Sequence, residues 1–106
     1  MPSGAWQLEL CRAIKDRIAV ELTYEDDRLP RTYLPHAVYH STKDNICVSG
    51  TQTSDPNKSP PEINPVPRNF DLERIRLVVA TGVKFTPDPR FDRFDPRYKN
   101  GIICSV

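Results

Sequence analysis

The chain has 106 residues, of which 38% are hydrophobic and 27% are charged, and this length and composition are typical of one globular domain with one small core. The 15 basic and 14 acidic residues give a net charge of +1, so any anion site must be local rather than a result of the overall charge. No apolar run approaches the roughly 18 residues of a membrane-spanning helix, and residues 1–4 do not resemble a signal peptide, so we expect no membrane partner.

The predicted elements are one helix followed by a series of strands. Hydrophobic residues spaced four apart predict a helix over residues 5–18, with an apolar side made of Trp6, Leu10, Ile14 and Ile18. Alternating hydrophobic residues predict a half-buried strand over residues 19–24. Further strands are predicted over residues 31–40, which Pro35 bends or places at an edge, over 46–53, and over 75–84, which Gly82 breaks. Another strand begins at Val66 and leads through Phe70 into a short turn. Gly50 marks a bulge or a close approach between two backbones.

The helix and the strands are expected to share one hydrophobic core, made of Leu10, Ile14, Val20, Leu22, Val38, Ile46, Val48, Phe70, Ile75 and Val78. Two proline-rich segments lie outside it. Residues 54–67 form a loop that is long for so small a domain, which favours either a functional or a mobile segment. Residues 86–98 are expected to run extended over the surface, anchored by Phe91 and Phe94, and residues 102–106 could add an edge strand.

The cysteines and histidines form no recognised metal or disulfide pattern. Cys11, Cys47 and Cys104 are odd in number and widely spaced, which argues against a disulfide framework or a zinc site and favours a reducing cytoplasm. His36 and His40 add no metal-binding spacing, so we expect neither a metal nor a cofactor. Cys47 lies in an apolar run, where a free cysteine behaves as a small core residue.

Neither the cysteines nor the histidines lie in a setting typical of a nucleophile. Cys47 and Cys104 lack a strand-to-helix elbow or a helix N-terminus beside them. The four glycines are too dispersed to form a phosphate-binding loop. The sequence therefore predicts a binding domain and not an enzyme.

Basic and aromatic residues alternate on the predicted strands. The basic residues are Arg31, His36, His40, Arg68 and Arg74, and the aromatic residues are Tyr24, Tyr33, Tyr39 and Phe70. Rings that stack on bases and cations that hold phosphates favour recognition of a nucleotide or a single strand. Two simpler interpretations remain, because the arginines could pair with carboxylates of the fold and the tyrosines could belong to the core.

The order of these residues resembles the WYL domain, a family named for a Trp-Tyr-Leu triplet. Arg31 is followed by the step Leu34-Pro35-His36, then by a strand that ends at Gly50, then by Arg68-x-Phe70-x-Leu72-x-Arg74-Ile75. The resemblance extends over about residues 8–85. It implies a mainly β fold in a single domain of residues 1–106. An N-terminal helix (5–18) would pack on a small five-stranded Sm-like, Src-homology-3-type barrel (19–85), followed by a C-terminal extended segment (86–106).

The same resemblance implies a function and a site. WYL domains are thought to be bacterial regulatory sensors that bind nucleotides or single-stranded nucleic acid in transcription control, DNA-damage response and phage defence. The ligand-facing positions implied here are Arg31, His36, Arg68 and Arg74, with Tyr39 or His40 nearby. The sequence departs from the family at its triplet, where it has Ile46, Cys47 and Val48. It also has no room for the helix-turn-helix that usually precedes the domain, so it resembles a freestanding, divergent member.

One alternative comes from a different class of function. Without the triplet aromatics the chain could be an interaction module that forms a homo-oligomer through its terminal strand, or that binds a separate regulatory protein.

The two arginines of the motif are expected to differ in role. Asp71 faces away from Arg68 on a strand, whereas Glu73 adjoins Arg74. We therefore expect Arg68 to bind anions and Arg74 to contribute to stability.

Overall fold

The computed structural model describes residues 3–106, with side chains from residue 5 onward. Its elements are one helix, α1 (Ser3–Asp16), and six strands: β1 (Ile18–Tyr24), β2 (Arg31–His40), β3 (Ile46–Ser54), β4 (Val66–Asp71), β5 (Ile75–Lys84) and β6 (Ile102–Ser105). All strand pairings are antiparallel. The prediction of a mainly β domain with an N-terminal helix is confirmed. Residues 1 and 2, which were part of the signal-peptide argument, lie outside the described residues.

The strand order is β4-β3-β2-β1-β5, with β6 added beside β2. Within the described residues no pairing joins β4 to β5, so the sheet is open at that point. A short 3-10 turn, Leu72–Arg74, connects these two strands, and the Asp71 carboxylate caps it by accepting a hydrogen bond from the backbone of Glu73. No helix of the described residues is long and apolar enough to cross a membrane.

Strand β2 is long enough to have two partners on one of its edges. Its beginning pairs with β1 at Arg31–Tyr33, and its end pairs with β6 at Ala37–Tyr39. Strand β3 follows the other edge, and its register shifts between Pro35 and Ala37, which leaves His36 as an extra residue in β2. A bulge of this kind turns a side chain into a new direction.

Gly50 is required opposite this bulge. A Cβ atom on Gly50 would overlap the carbonyl oxygen of Leu34 and crowd the ring of Tyr33. The close backbone approach predicted for this glycine is therefore confirmed.

The core lies between α1 and the sheet. Nine of the ten predicted core residues are buried, and Ile46 is only partly buried. The core also contains residues that the prediction omitted, notably Trp6, Ala13, Tyr33 and Leu72. Tyr33 is fully buried because its hydroxyl donates a hydrogen bond of 2.8 Å to the carbonyl oxygen of Arg68, which satisfies its polar end.

A second, smaller cluster anchors the C-terminal segment, residues 86–106. It contains Ala37, Tyr39 and Tyr98, with Phe91 packed against them. The predicted anchoring role of Phe91 is confirmed, but that of Phe94 is wrong, since its side chain is 85% exposed. The predicted edge strand at the end of the chain is confirmed as β6.

The cysteine prediction is wrong. Cys11 on α1 and Cys104 on β6 form a disulfide with a Cα–Cα distance of 5.7 Å, and Cys47 is free. The two cysteines are 93 residues apart in sequence and become neighbours only because β6 packs beside the helix. The cysteine count therefore no longer argues for a reducing compartment.

Candidate functional site

Arg31 is the most completely paired of the predicted site residues. Its guanidinium donates two hydrogen bonds to the Asp27 carboxylate, at 2.8 and 2.9 Å, and one to the side-chain oxygen of Gln52 at 3.1 Å. Asp55 lies 3.7 Å away on another side, and the ring of Phe70 lies 5.4 Å from the guanidinium carbon. Only 17% of the Arg31 side chain is exposed. Arg31 is therefore held by partners within the fold.

The structure links Arg68 to Arg31 through two intermediate side chains. Gln52 donates from its amide to Glu62, and Arg68 lies 3.6 Å from the same Glu62 carboxylate. Lys58 also reaches Glu62, at 3.3 Å. The Glu62 carboxylate therefore forms ion pairs with two cations, Lys58 and Arg68, and 37% of the Arg68 side chain is exposed.

Arg74 lies apart from this network. Its partner is Glu25, at 3.4 Å, and not the adjacent Glu73. Both side chains are exposed, at 61% and 49%, so neither leaves a buried partner when removed. Arg74 therefore has no buried ion-pair partner among the described residues, and its contribution to stability is expected to be small.

We expect Arg74→Ala and Arg68→Ala each to change the free energy of unfolding by less than about 0.5 kcal/mol, because exposed ion pairs contribute little. Urea denaturation measures this, with Arg28→Ala as a control at an exposed arginine in neither ion pair. If Arg74→Ala lowered the free energy of unfolding by more than about 1 kcal/mol, Arg74 would have a structural role after all.

His36 is buried and uses both of its ring nitrogens. The ring Nδ1 lies 2.8 Å from the carbonyl oxygen of Leu34, and Nε2 accepts a hydrogen bond of 2.9 Å from the backbone N–H of Asp88. These two bonds require the neutral tautomer with its proton on Nδ1. The rings of Phe85 and Phe91 flank the imidazole at 5.3 and 5.9 Å. His36 thus ties the C-terminal segment to the bulge in β2.

Tyr39 and His40 follow on the same strand but differ in exposure. Tyr39 is buried against Tyr98, with ring centroids 4.8 Å apart, and burial raises the pKa of Tyr39 to about 12. His40 is exposed, and its backbone N–H donates to the carbonyl oxygen of Gly101. Tyr39 therefore helps to hold the C-terminal segment on the sheet.

The three positions that replace the family triplet lie on β3. Val48 is fully buried in the main core, and Ile46 packs at its edge. Cys47 packs against the smaller cluster, and burial, together with the nearby charge of Asp71, raises the pKa of its thiol. None of the three side chains can stack on a base.

A cavity of about 250 Å³ lies between β3 and the C-terminal segment, and we call it the C-terminal cavity. Ser49, Gly50 and Thr51 of β3 and Pro67 of β4 form one side of it. The C-terminal segment forms the other, through Asp88, Arg90, Phe91, Asp92, Asp95, Arg97 and Tyr98. Of the predicted site residues, His36 lines it.

The polar groups in this cavity are arranged by short local turns. Asp88-Pro89-Arg90 and Asp95-Pro96-Arg97 repeat the same sequence, and in each the aspartate accepts hydrogen bonds from the backbone and the side chain of the arginine two residues later. These bonds hold the pKa of Asp88 and that of Asp95 below their ordinary value. Ser49 and Tyr98 share a buried hydrogen bond of 2.7 Å between their hydroxyl groups.

The sequence contains a local pattern at these residues that was not among the predicted site residues. The repeated Asp-Pro-Arg sequence predicts two turns in which the aspartate bonds the backbone two residues later. That repeat indicates an ordered segment, but nothing local in it indicates that the segment folds back over β3.

Comparison with protein-family models, with curated proteins and with solved structures found no match to this chain. The resemblance to WYL domains therefore rests on the residues quoted above.

Proposed function

We propose that this chain is a non-enzymatic ligand-binding domain and that a nucleotide, or one end of a short single strand, binds with its base in the C-terminal cavity. The observation that carries the proposal is the cavity itself, which has aromatic, hydrogen-bonding and charged groups converging on a volume of about 250 Å³. That volume is slightly below the range usual for drug-sized ligands, so the ligand group that enters is small.

The lining offers the contacts that a base requires. Phe91 is half-buried, so its ring can pack against a flat base, and the buried ring of Tyr98 supports Phe91 from behind at a centroid distance of 5.9 Å. Asp92 accepts one hydrogen bond, from the backbone N–H of Phe94 to its Oδ1. It is in no ion pair of the described residues, so its other carboxylate oxygen can accept a hydrogen bond from an amino group.

The charges of the cavity limit how much phosphate it accepts. Three carboxylates and two guanidinium groups line it, with His36 neutral, so the lining carries an excess of one negative charge. Arg90 is 85% exposed and its ion pair with Asp88 is local, so this arginine can exchange its partner for a phosphate at small cost. A nucleoside or monophosphate therefore fits the lining better than a triphosphate.

The strand-borne arginines enter the proposal through Arg68. Its ion pair with Glu62 is long, at 3.6 Å, and Lys58 stays beside the same carboxylate, so a phosphate can compete for the guanidinium. Arg31 is less suited, because Asp27 occupies the two donors that would grip a phosphate.

The further properties implied by the WYL resemblance are part of the same proposal. They are an Sm-like barrel curvature of the sheet, a regulatory role in bacteria and a cytoplasmic location. The redox state of Cys11 and Cys104 in freshly lysed cells tests the location. Disulfides are rare in a reducing cytoplasm, so fully oxidised cysteines would contradict a cytoplasmic location.

We expect Thr51→Phe to weaken the binding of nucleosides and nucleoside monophosphates by about tenfold or more, because the ring would fill part of the cavity. Thr51 lies on β3, where an aromatic residue suits the backbone, so the fold should tolerate the change. Isothermal titration calorimetry measures this loss of affinity, with the nucleosides and nucleoside monophosphates of the four common bases titrated into the wild type and into the variant. In the same titrations, Arg90→Ala is expected to weaken monophosphates but not nucleosides, because Arg90 lines the cavity whereas Arg68 does not.

Thr23→Phe is the matched control. It places the same ring at a half-buried strand threonine that does not line the cavity. Equal loss of binding in both variants, or no binding of any nucleoside to the wild type, would contradict the proposed function.

The second candidate function, an interaction module, is favoured by β5. Strand β5 ends the sheet order and exposes Leu77, Val79 and Val83 at 48%, 47% and 62%. The terminal strand β6 instead pairs with β2 and is tied to α1 by the disulfide. A molecular mass that rises with protein concentration, together with no nucleoside binding, would favour self-association through β5.

A further inference from the structure

An open cleft of about 590 Å³ lies where α1 ends beside the end of β5, and we call it the basic cleft. Its lining consists of Lys15, Asp16, Arg17, Ile18, Lys84 and Phe85. Two contacts hold its sides together: Ile18 pairs with Lys84 in the sheet, and the backbone N–H of Phe85 donates to the carbonyl oxygen of Arg17 at 2.9 Å. The cleft is therefore a fixed feature of the fold.

The cations of the basic cleft differ from the arginines of the predicted site. Lys15, Arg17 and Lys84 are all exposed, and none of them takes part in an ion pair of the described residues. Asp16 is the one carboxylate in the lining. The C-terminal end of α1 adds a partial negative charge of about half an elementary charge. The three cations outweigh this charge and that of Asp16, so the cleft has a net positive charge.

A structural reason accounts for part of this charge. Lys15 and Arg17 lie at the end of a helix, where cations are favoured by the helix dipole. Lys84 comes from β5 and has no such reason to lie there. The third cation, from a separate element, adds to the positive potential of the cleft.

The basic cleft is next to the C-terminal cavity. Phe85 lines the cleft and His36 lines the cavity, and their ring centroids are 5.3 Å apart. The cavity has an excess of negative charge and the cleft an excess of positive charge. A ligand with a base at one end and several phosphates beyond it would match both sites.

We propose that the basic cleft binds the backbone phosphates of a single-stranded nucleic acid whose end base occupies the C-terminal cavity. The nature of the ligand rests on the proposed function, whereas the cleft as an anion site rests on its own three cations. Cations that follow a backbone beside an aromatic ring are the usual means of binding a single strand without reading its sequence.

The test is the salt dependence of binding to a short oligothymidylate, followed by fluorescence anisotropy. Each phosphate contact adds about 0.7 to the magnitude of the slope of log K against log salt for a single strand. The triple variant Lys15→Gln, Arg17→Gln, Lys84→Gln is therefore expected to lower the magnitude of that slope by about 2. The binding of thymidine, which has no phosphate, is expected to stay unchanged in the triple variant.

The matched control removes two exposed lysines and one exposed arginine elsewhere, as Arg28→Gln, Lys43→Gln, Lys99→Gln. An equal change of slope in this control would overturn the proposed anion site, since the net charge of the protein alone would then determine the salt dependence. Binding of anionic phospholipid vesicles through Lys15, Arg17 and Lys84, with no binding of the oligothymidylate, would also overturn it.

The two proposals fail in different measurements. If Thr51→Phe leaves thymidine binding unchanged while the triple variant lowers the slope, the base site is wrong and the cleft stands. If the triple variant has the wild-type slope while Thr51→Phe abolishes thymidine binding, the cleft is wrong and the base site stands.

Discussion

Replacing Cys11 and Cys104 together with serine is expected to lower the free energy of unfolding by up to about 4–5 kcal/mol. The disulfide closes a loop that spans 93 positions, nearly the whole chain, and so restricts the unfolded chain more than a short loop would. Because a small domain is stable by only about 5–15 kcal/mol, this loss removes a large part of its stability. We expect the double variant to unfold at a clearly lower urea concentration than the wild type.

Urea denaturation of the wild type, with and without reductant, measures the same effect without a substitution. Cys47→Ser is the matched control, since Cys47 is free and half-buried. Its stability should change little, and it should keep the full response to reductant. A wild-type protein whose denaturation midpoint does not move on reduction would show that the link between α1 and β6 contributes nothing in solution.

Arg31→Ala is expected to lower the free energy of unfolding by about 3 kcal/mol, the low end of the range for breaking a buried ion pair. The substitution leaves the carboxylates of Asp27 and Asp55, which are 7% and 3% exposed, without their cation. It also takes away the guanidinium that donates to Gln52. The large effect therefore comes from uncompensated charge, and not from the loss of a favourable contact alone.

The effect of Arg31→Ala should depend on pH. Burial raises the pKa of Asp27, but the hydrogen bond from Arg31 and that from the backbone of Tyr24, with the charge of Arg31, outweigh it and lower that pKa. A carboxyl group with a lowered folded pKa stabilises above its unfolded pKa of about 4, and this contribution is lost as the pH falls through the lower folded value. Without Arg31, burial still raises the pKa of Asp27 while only the Tyr24 hydrogen bond and the charge of Arg76 lower it. That pKa should then be less depressed, so the variant should lose less stability on acidification.

Urea denaturation at neutral and acidic pH tests both parts of this prediction. The deficit of Arg31→Ala relative to the wild type should be largest at neutral pH and should shrink below about pH 4. Arg28→Ala, at an exposed arginine three positions earlier, should show neither the loss nor the pH dependence. A deficit that is the same at all pH values would show that lost packing, and not the ion pair, accounts for it.

The sequence determined most of the sheet. Residue alternation predicted β1 to within one residue of its bounds, because a strand with one buried side is hydrophobic at every second position. The predicted bounds of β2 and β5 are those found in the structure. The same reasoning identified buried residues such as Leu22 and Val78, since burial of apolar area is the main force in folding. The requirement for glycine at position 50 was also visible locally.

The roles of the charged residues were decided by tertiary structure. No sequence pattern indicated that Arg68 would pair with Glu62 or that Arg74 would pair with Glu25, because these partners come from separate segments. An ion pair depends on a few ångströms of separation, and sequence patterns of hydrophobic residues do not specify such distances between loops.

The disulfide and the C-terminal cavity were likewise decided by the path of the last twenty residues. That path depends on the pairing of β6 with β2 and on the hydrogen bond from Asp88 to His36, which are contacts across about half of the chain or more. Local propensities fix where strands begin and end, whereas contacts between distant segments are selected by the packing of the whole domain. For this reason the sequence predicted the sheet and the helix, and only the tertiary structure brought Cys11 to Cys104 and formed the cavity.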